Sequence, residues 1–256
     1  MIGCIIQARM GSSRLPGKVL MKLDKVNPML YYVISQLQYC KLLDKIIVAT
    51  SNLDEDKKIV KFTQHLGIDY FRGDSLDVLD RYYKCAKQFK LDTIVRVTAD
   101  CPLIDPTIVD RIIKKYTSSS FDYVCMHKPR TLPEGIEPEI FSFHALEQAW
   151  KNAERPSERE HVTSHFFHNP KQFKIYNLKN KIDLSHLRLT VDRLNDLSLI
   201  QNIISKIKKK PILLSDVVKL FSKEPDLFEI NKNSIQDEGY LKSLKEDEIY
   251  FNRRFD

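Results

Sequence analysis

A cationic loop near the start of the chain, residues 9–18, carries the residue types that bind phosphate. Arg9, Arg14 and Lys18 place three positive charges within ten residues, and guanidinium and ammonium groups bind phosphate oxygens strongly. Gly11 and Gly17 let the backbone approach a bound anion and direct N–H groups toward it. The spacing differs from the Walker motif G-x-x-x-x-G-K-S/T, because five residues separate the two glycines and Val19 follows the lysine. We therefore expect an anion-binding loop, with a basic surface loop as the alternative.

Two aspartates follow apolar stretches further along the chain. Asp100 comes just after residues 93–98, and Asp192 follows residues 187–191. Because ligands of open α/β sheets bind at the carboxyl ends of the strands, both carboxylates are expected beside the cationic loop. Two carboxylates can share Mg²⁺, which keeps its remaining coordination positions for water and phosphate. Either aspartate alone is better explained as a helix N-cap. In combination with the loop they predict a metal site at Asp100 and Asp192.

Other residues that could bind metal or act as nucleophiles have simpler explanations. His161 and His165 are four residues apart and would share one face of a helix over residues 157–167. Their order after Glu160 differs from the zinc helix H-E-x-x-H, which favours polar packing or a dimer-facing role. Cys101 has no base fixed beside it in the sequence, which favours a buried thiol.

The elements that must position these residues alternate in type over the first half of the chain. Residues 1–8 form an apolar run typical of a strand buried on both faces. Strands alternating with helices predict an α/β fold with a mostly parallel sheet, helices on both faces and right-handed crossovers. Strands are expected at residues 45–50, 68–71, 93–98 and 121–126, and helices at residues 28–43, 54–65, 76–89 and 105–116.

The pattern changes after Cys125. Residues 127–139 read as a loop that leads into a strand over 139–141, and Ser142 should cap a helix to about residue 153. A capping box at residues 157–160 predicts a helix through residue 167. Strands follow at 173–178 and 187–191, and helices at 194–208 and 215–222. We expect one domain over residues 1–225, with a dimerisation or acceptor-side insertion at about 127–185. The charged stretch 226–256 is expected to be an extended or partly mobile tail.

The overall composition limits the class of protein and its partners. The 256 residues carry a net charge of +7 and a pI near 9.0, which suggests an anionic partner, either nucleic acid or a nucleotide with an acidic sugar. A basic run at residues 206–210 is better explained as a helix C-terminus, and it lacks the interleaved aromatics of a nucleic-acid site. No apolar run approaches membrane-spanning length, and no signal peptide is evident. Five widely spaced cysteines suggest reduced thiols and a cytoplasmic protein.

Several motifs together resemble one enzyme family. Residues 5–18, IIQARMGSSRLPGK, resemble the signature of the cytidylyltransferases that activate sugar acids, the acylneuraminate and 3-deoxy-manno-octulosonate enzymes. The branch named for the spore coat polysaccharide biosynthesis protein SpsF is the most similar. Further stretches that look like this branch are RG at 72–73, VLDRY at 78–82, VTADCPLID at 97–105, EREHVT at 158–163 and EGY at 238–240. The resemblance implies a Rossmann-like nucleotide-diphospho-sugar transferase fold and a homodimer that exchanges the region around 130–185.

The resemblance also implies roles for individual residues. The metal would be Mg²⁺ on Asp100 and Asp192, with Arg14, Lys18 and Asp100 as the catalytic residues. Acceptor contacts would come from Glu137 and His161. The nucleotide would contact Ala8, Arg9, Gly11, Ser12, Ser13, Arg14, Lys18, Arg72 and Asp100.

These roles predict that CMP is transferred from CTP to a sugar acid with release of pyrophosphate, for surface polysaccharide or glycan biosynthesis. No nucleic-acid or membrane partner is expected. The alternatives are a nucleotidyltransferase that uses another NTP, and a non-catalytic basic protein that binds nucleic acid or polysaccharide.

Overall fold

One seven-stranded sheet organises the protein, with strand order β3-β2-β1-β4-β6-β5-β7. The computed structural model describes residues 1–255, with side chains described through Asn252. β1, β2, β3 and β4 are parallel, whereas β6 pairs antiparallel with both β4 and β5, and β7 is parallel to β5. The strands are β1 Ile2–Gln7, β2 Lys45–Ser51, β3 Asp69–Gly73, β4 Thr93–Thr98, β5 Tyr123–Cys125, β6 Glu139–Ser142 and β7 Ile175–Asn177. The predicted α/β fold with a mostly parallel mixed sheet is confirmed.

Helices cover both faces of the sheet, as predicted. Neighbouring residues of β1 alternate between two hydrophobic clusters, with Cys4 and Ile6 on one face and Ile5 on the other. The helices are α1 Met29–Leu37, α2 Lys57–His65, α3 Val78–Gln88, α4 Pro106–Thr117, α5 Phe143–Asn152, α6 Pro156–His161, α7 Ser164–His168, α8 Leu194–Lys206, α9 Leu214–Lys223, α10 Asp226–Glu229 and α11 Glu238–Phe255. Within the described residues, no helix combines the length and apolarity needed to cross a membrane.

The predicted strand over residues 187–191 is wrong. In place of sheet pairing, this segment makes a single β-bridge, between Arg188 and Glu134. The far edge of β4 is already occupied by β6, so the segment bonds to loops instead. Val191 donates its N–H to the carbonyl of Asp100 at 2.9 Å. Asp192 therefore reaches the strand ends from a loop rather than from a strand of the sheet.

The predicted helix over residues 157–167 is also wrong in its extent. Two short helices, α6 and α7, occupy this range, and Val162 between them has a positive φ of 60° that ends the first helix. The capping box lies two residues earlier than predicted, with Arg155 rather than Ser157 as the N-cap. Glu158 rather than Glu160 accepts the backbone N–H of Arg155 at 3.4 Å. His161 and His165 therefore lie on different helices and do not share a helical face.

The expectation of an extended or mobile tail after residue 226 is corrected for the described residues. α10 and α11 form there, and residue 256 lies outside the described range. α11 packs against α6, where the buried Asp247 accepts the N–H and the hydroxyl of Ser157 at 2.9 and 2.6 Å. This helix was not predicted from the sequence, because some of its buried positions are polar and the segment therefore lacks a clear apolar period.

Candidate active site

A cavity of about 1050 Å³ opens at the carboxyl ends of β1 and β4. One side is formed by the cationic loop that follows β1, and the floor by the ends of the two strands. The opposite side is formed by α6 and α11. Lining residues that carry charge or hydrogen-bonding groups include Arg9, Ser12, Ser13, Arg14, Lys18, Arg96, Asp100, Arg159, Glu160, His161 and Ser243. The cationic loop and Asp100 thus share one cavity, as predicted.

The cationic loop is held in a fixed shape by its own backbone and by one buried carboxylate. Gly17 has a positive φ of 72°, a conformation that favours glycine, and donates its N–H to the carbonyl of Met10 at 2.8 Å. Asp56 accepts the N–H of Met10 at 2.7 Å, which ties the loop to the end of β2. These contacts bring Arg14 and Lys18 into the cavity.

Lys18 lies at the centre of the charged site. Its ammonium donates to Asp100 Oδ2, Asp192 Oδ1 and the carbonyl of Val191, each at 2.7 Å. The side chain is only 8% exposed. Burial by itself would lower the pKa of Lys18, but the charges of Asp100 and Asp192 outweigh it and raise the pKa above its ordinary value. The lysine therefore stays charged and holds the two carboxylates together.

The two carboxylates differ in what surrounds them. Burial disfavours the charge on Asp100, but the Lys18 charge and hydrogen bonds from Lys18 and Thr98 hold its pKa well below the usual range. Asp192 is 8% exposed and also accepts from Arg14 at 2.7 Å and from Arg188 at 2.6 Å. Asp100 faces the cavity, whereas Asp192 lies behind the cations that line it.

These carboxylates fit the requirements of a divalent cation. Asp100 and Asp192 converge on a single cation, the Lys18 ammonium, so their oxygens already lie close enough together to share one charge. Carboxylate oxygens are the ligands that Mg²⁺ prefers, with the remaining positions filled by water and phosphate. The described residues contain no cluster of three or more His, Cys, Asp or Glu side chains for a metal. A cation here would therefore depend on the two aspartates and on the substrate.

Arg14 is shared between the site and the C-terminal helix. It pairs with Asp192 at 2.7 Å and with Glu238, the first residue of α11, at 3.1 Å. Glu238 also pairs with Arg193 at 2.7 Å. Phosphate oxygens would compete with the Glu238 carboxylate for Arg14, because both are anionic acceptors for the same guanidinium.

Three of the predicted nucleotide residues lie outside the lining of the cavity, within the described part of the chain. Ala8 is buried and donates its N–H to a carbonyl of β2 at 3.1 Å. Gly11 is exposed at the tip of the loop. Arg72 lies on β3, where its guanidinium donates to the carbonyls of Ser51 and Leu53, both at 3.1 Å. In this arrangement Arg72 braces the turn after β2.

The two predicted acceptor residues are separated. Glu137 lies outside the lining of the cavity, with its side chain only 8% exposed, and both of its carboxylate oxygens accept from Arg130 Nε, at 2.8 and 2.9 Å. Arg130 also pairs with Asp237 just before α11, at 3.0 Å. His161, in contrast, lines the cavity. Glu137 therefore holds the loop before β6, and only His161 reaches the cavity wall.

Sequence reasoning missed several residues of the site, including Arg188, Glu238 and Ser243. Arg188 is buried and pairs with Glu134, Asp192 and Asp196, so it fixes the carboxylate of Asp192 from behind. Glu238 and Ser243 come from α11. The stretch EGY at 238–240 was itself one of the motifs shared with the resembled family, and that was the available signal for Glu238. The mostly apolar stretch around Arg188 offered no comparable signal.

Comparisons with known proteins are consistent with this geometry. A family model described as cytidylyltransferase matches residues 3–233. The spore coat polysaccharide biosynthesis protein SpsF of Bacillus subtilis is 30% identical over 230 residues, covering 87% of this chain and 94% of that protein. A 3-deoxy-manno-octulosonate cytidylyltransferase of Trichlorobacter lovleyi is 34% identical over 117 residues, 45% of this chain and 44% of that one. The solved structure of a cytidylyltransferase from Leptospira borgpetersenii superposes with a TM-score of 0.86 at 31% identity, covering 91% and 98% of the two chains.

Proposed function

The chain belongs to the cytidylyltransferase family, and we propose that it transfers CMP from CTP to a sugar acid with release of pyrophosphate. The observation that carries this proposal is the Lys18 ammonium held between Asp100 and Asp192 beside the cationic loop. Similarity to SpsF and to an octulosonate cytidylyltransferase supports a sugar-acid acceptor and a role in surface polysaccharide or glycan biosynthesis.

In this reaction the protein contributes mainly by positioning the substrates and neutralising the charge of the phosphates. A hydroxyl of the acceptor attacks the α-phosphorus of CTP and loses its proton to solvent. The bond between the α-phosphorus and the oxygen bridging to the β-phosphate breaks, and pyrophosphate leaves with that oxygen. Arg9 is the least engaged arginine of the loop, with one ion pair to Glu160 at 3.7 Å, so it is available for a phosphate or for the base. Arg14 gains phosphate contacts when Glu238 releases it. Lys18 stays charged and neutralises the site on the side of the leaving group.

Asp100 and Asp192 are the residues that would hold Mg²⁺. When bound, the ion would polarise the α-phosphate and lower the pKa of the attacking hydroxyl. Arg188 keeps the carboxylate of Asp192 aimed at the site through its 2.6 Å ion pair. Lys18 would have to share its two carboxylate partners with the ion.

We further propose that the enzyme works in the cytoplasm as a homodimer. All five cysteines are free, which fits a reducing compartment. The homodimer, with exchange of the region around 130–185, is supported by the family resemblance of the motifs.

The proposal is tested by nucleotide binding and turnover together. CTP should raise the melting temperature in the presence of Mg²⁺ by about 5 to 10 °C at 100 times its Kd, because a ligand of the native state adds about 2.7 kcal/mol. UTP, GTP and ATP at the same concentration should give smaller shifts. A larger shift with one of these nucleotides would leave the proposed reaction class in place and change the nucleotide base that the enzyme prefers.

Turnover is then measured as pyrophosphate released from CTP with 3-deoxy-manno-octulosonate or N-acetylneuraminate as the acceptor. Asp100→Asn should lower kcat at least about 100-fold, equivalent to about 2.7 kcal/mol of transition-state stabilisation. The exposed Asp226 of α10 offers a matched control, and Asp226→Asn should leave kcat unchanged. Near-normal turnover in a folded Asp100→Asn protein, or no response to any nucleotide, would contradict the proposal.

A further inference from the structure

The C-terminal helix α11 forms part of the cavity although the family match ends before it. The family model covers residues 3–233, whereas α11 starts at Glu238. Residues of this segment that line the cavity include Gly239, Lys242 and Ser243. One wall of the site is therefore built from a part of the chain that the family model does not cover, although EGY at 238–240 resembles the SpsF branch.

The helix α11 is held against α6 by contacts at several positions along its length. Asp247 is buried and accepts both the N–H and the hydroxyl of Ser157 at the start of α6. The ring of Tyr240 packs edge-on against the ring of His161, with centroids 5.3 Å apart. The helix therefore holds a defined position against α6, and its side chains can orient groups of the cavity.

Ser243 links α11 to a histidine that faces the cavity. Its hydroxyl lies 2.8 Å from His161 Nε2 and 2.7 Å from Glu160 Oε2. Ser243 is 2% exposed, whereas the side chain of His161 is 24% exposed and lines the cavity. Ser243 lines the cavity but is almost fully buried, so a ligand reaches the histidine ring more readily than the serine hydroxyl.

The hydrogen-bond network assigns the proton positions. The hydroxyl has one hydrogen, and the Glu160 carboxylate is the stronger acceptor for it. His161 must then donate its Nε2–H to Ser243 Oγ, which leaves the lone pair on Nδ1. Burial lowers the pKa of His161 below its ordinary value, so the ring is neutral at pH 7. Among the described residues, His161 Nδ1 has no hydrogen-bond partner.

We propose that Ser243 is a positioning residue that fixes the Nε2–H tautomer of His161, so that Nδ1 accepts a hydrogen bond from a hydroxyl group of the acceptor. Acceptor selection would thus depend on α11, and a polyhydroxylated sugar is the ligand class that this lone pair recognises. The inference rests on the proposed function, because it names the acceptor of that reaction.

The first test reads the tautomer directly and needs no acceptor. Long-range ¹H–¹⁵N spectra of histidine-labelled protein distinguish Nε2–H from Nδ1–H rings. The wild type should show His161 protonated at Nε2, whereas Ser243→Ala should show a mixture of tautomers. Ser243→Thr keeps the hydroxyl and should retain the wild-type pattern. An unchanged His161 spectrum in Ser243→Ala would overturn the proposal.

The second test separates the acceptor from the nucleotide. In pyrophosphate release with 3-deoxy-manno-octulosonate or N-acetylneuraminate, Ser243→Ala should raise the acceptor KM about 2- to 12-fold, the effect of one net hydrogen bond. The KM for CTP and kcat should stay within twofold, because the lost contact is made equally in ground and transition states. The exposed Glu248 of α11 supplies a control, Glu248→Gln, that should change none of these values.

The outcomes distinguish this inference from the proposed function. Wild-type activity with an unchanged acceptor KM in Ser243→Ala, or equal rises in both KM values, would overturn the inference alone. Absence of wild-type pyrophosphate release with either acceptor would overturn the sugar-acid function and the inference with it.

Discussion

Replacing Lys18 by methionine removes the cation that bridges Asp100 and Asp192 in the candidate active site. Methionine has a similar length and no charge, so the cavity left behind is small. Asp100 and Asp192 would lose donors at 2.7 Å each, and the carbonyl of Val191 would lose its donor at the same distance. The two carboxylates would then face each other in a site where Asp192 is 8% exposed.

The expected loss of stability follows from this burial. Breaking a buried ion pair by removing one partner costs about 3 to 5 kcal/mol. The charge left without a cation here is that of Asp100, because Asp192 keeps its ion pairs with Arg14 and Arg188. For a chain of 256 residues this cost corresponds to about 6 to 20 °C in melting temperature. The matched control makes the same substitution at an exposed lysine. Lys22→Met should lower the free energy of unfolding by about 0.5 kcal/mol or less.

The loss should depend on pH in a defined direction. In the wild type the pKa of Asp100 is lowered, so its stabilising contribution is present above about pH 4 and is lost only as pH falls through the lower folded value. In Lys18→Met the Lys18 charge is gone and burial raises the pKa of Asp100. The folded variant then takes up a proton before the unfolded chain does. The loss in free energy of unfolding of the variant, relative to the wild type, should therefore be smaller at pH 4.5 than at pH 7.5 by about 1 to 2 kcal/mol. This follows because a tenfold change in proton affinity is worth about 1.4 kcal/mol.

Urea unfolding at both pH values, with and without Mg²⁺, is the assay. Mg²⁺ should stabilise Lys18→Met more than the wild type, because the ion no longer competes with the ammonium for the two carboxylates. A loss below about 1 kcal/mol at pH 7.5 would refute the account of Lys18 as a buried bridge. An equal loss at both pH values would refute the charge argument, and no effect of Mg²⁺ on the variant would refute the proposed cation site.

Two further predictions concern the C-terminal helix and a strained turn. Glu238→Gln should tighten CTP binding about 2- to 5-fold in calorimetry, because a partly exposed carboxylate no longer competes for Arg14. Glu248→Gln is the control, and weaker binding would mean that Glu238 positions Arg14 instead. Lys90 is exposed and has a positive φ of 53° after α3, so Lys90→Gly should raise stability by about 1 kcal/mol in urea unfolding. Lys61→Gly inside α2 should instead lower it by about 1 kcal/mol, and the same sign for both would contradict the turn argument.

The local sequence patterns that predicted the fold correctly were those with a clear hydrophobic pattern or a strong helix N-cap residue. Ser142 accepts the N–H of Ala145 at 2.9 Å, so the predicted N-cap is confirmed, and Asp105 at the start of the predicted helix 105–116 accepts the N–H of Thr107 at 2.8 Å. The apolar run of β1 could be assigned because each of its faces packs into its own cluster. These signals are local, and packing reinforces them.

The errors arose where long-range contacts decide the conformation. Residues 187–191 are apolar like a strand, yet the edge of β4 is taken by β6, so they pair with loops. Gly135 in the loop before β6 has a φ of 100°, and a Cβ there would lie 2.6 Å from the backbone N of Thr190. That close approach fixes the segment that carries Asp192. The local sequence around Gly135 and the sequence of residues 187–191 do not predict it.

The sequence by itself determined the cationic loop, the placement of Asp100 at the end of β4 and the α/β alternation, because each depends on residues adjacent in the chain. Tertiary structure alone decided that Lys18 bridges the two aspartates, that Arg188 holds Asp192, and that α11 closes the cavity. Asp100 and Asp192 are far apart in sequence but share one ammonium at 2.7 Å. Such convergence depends on the sheet order and on loop packing, and those are settled only when distant apolar faces are buried together.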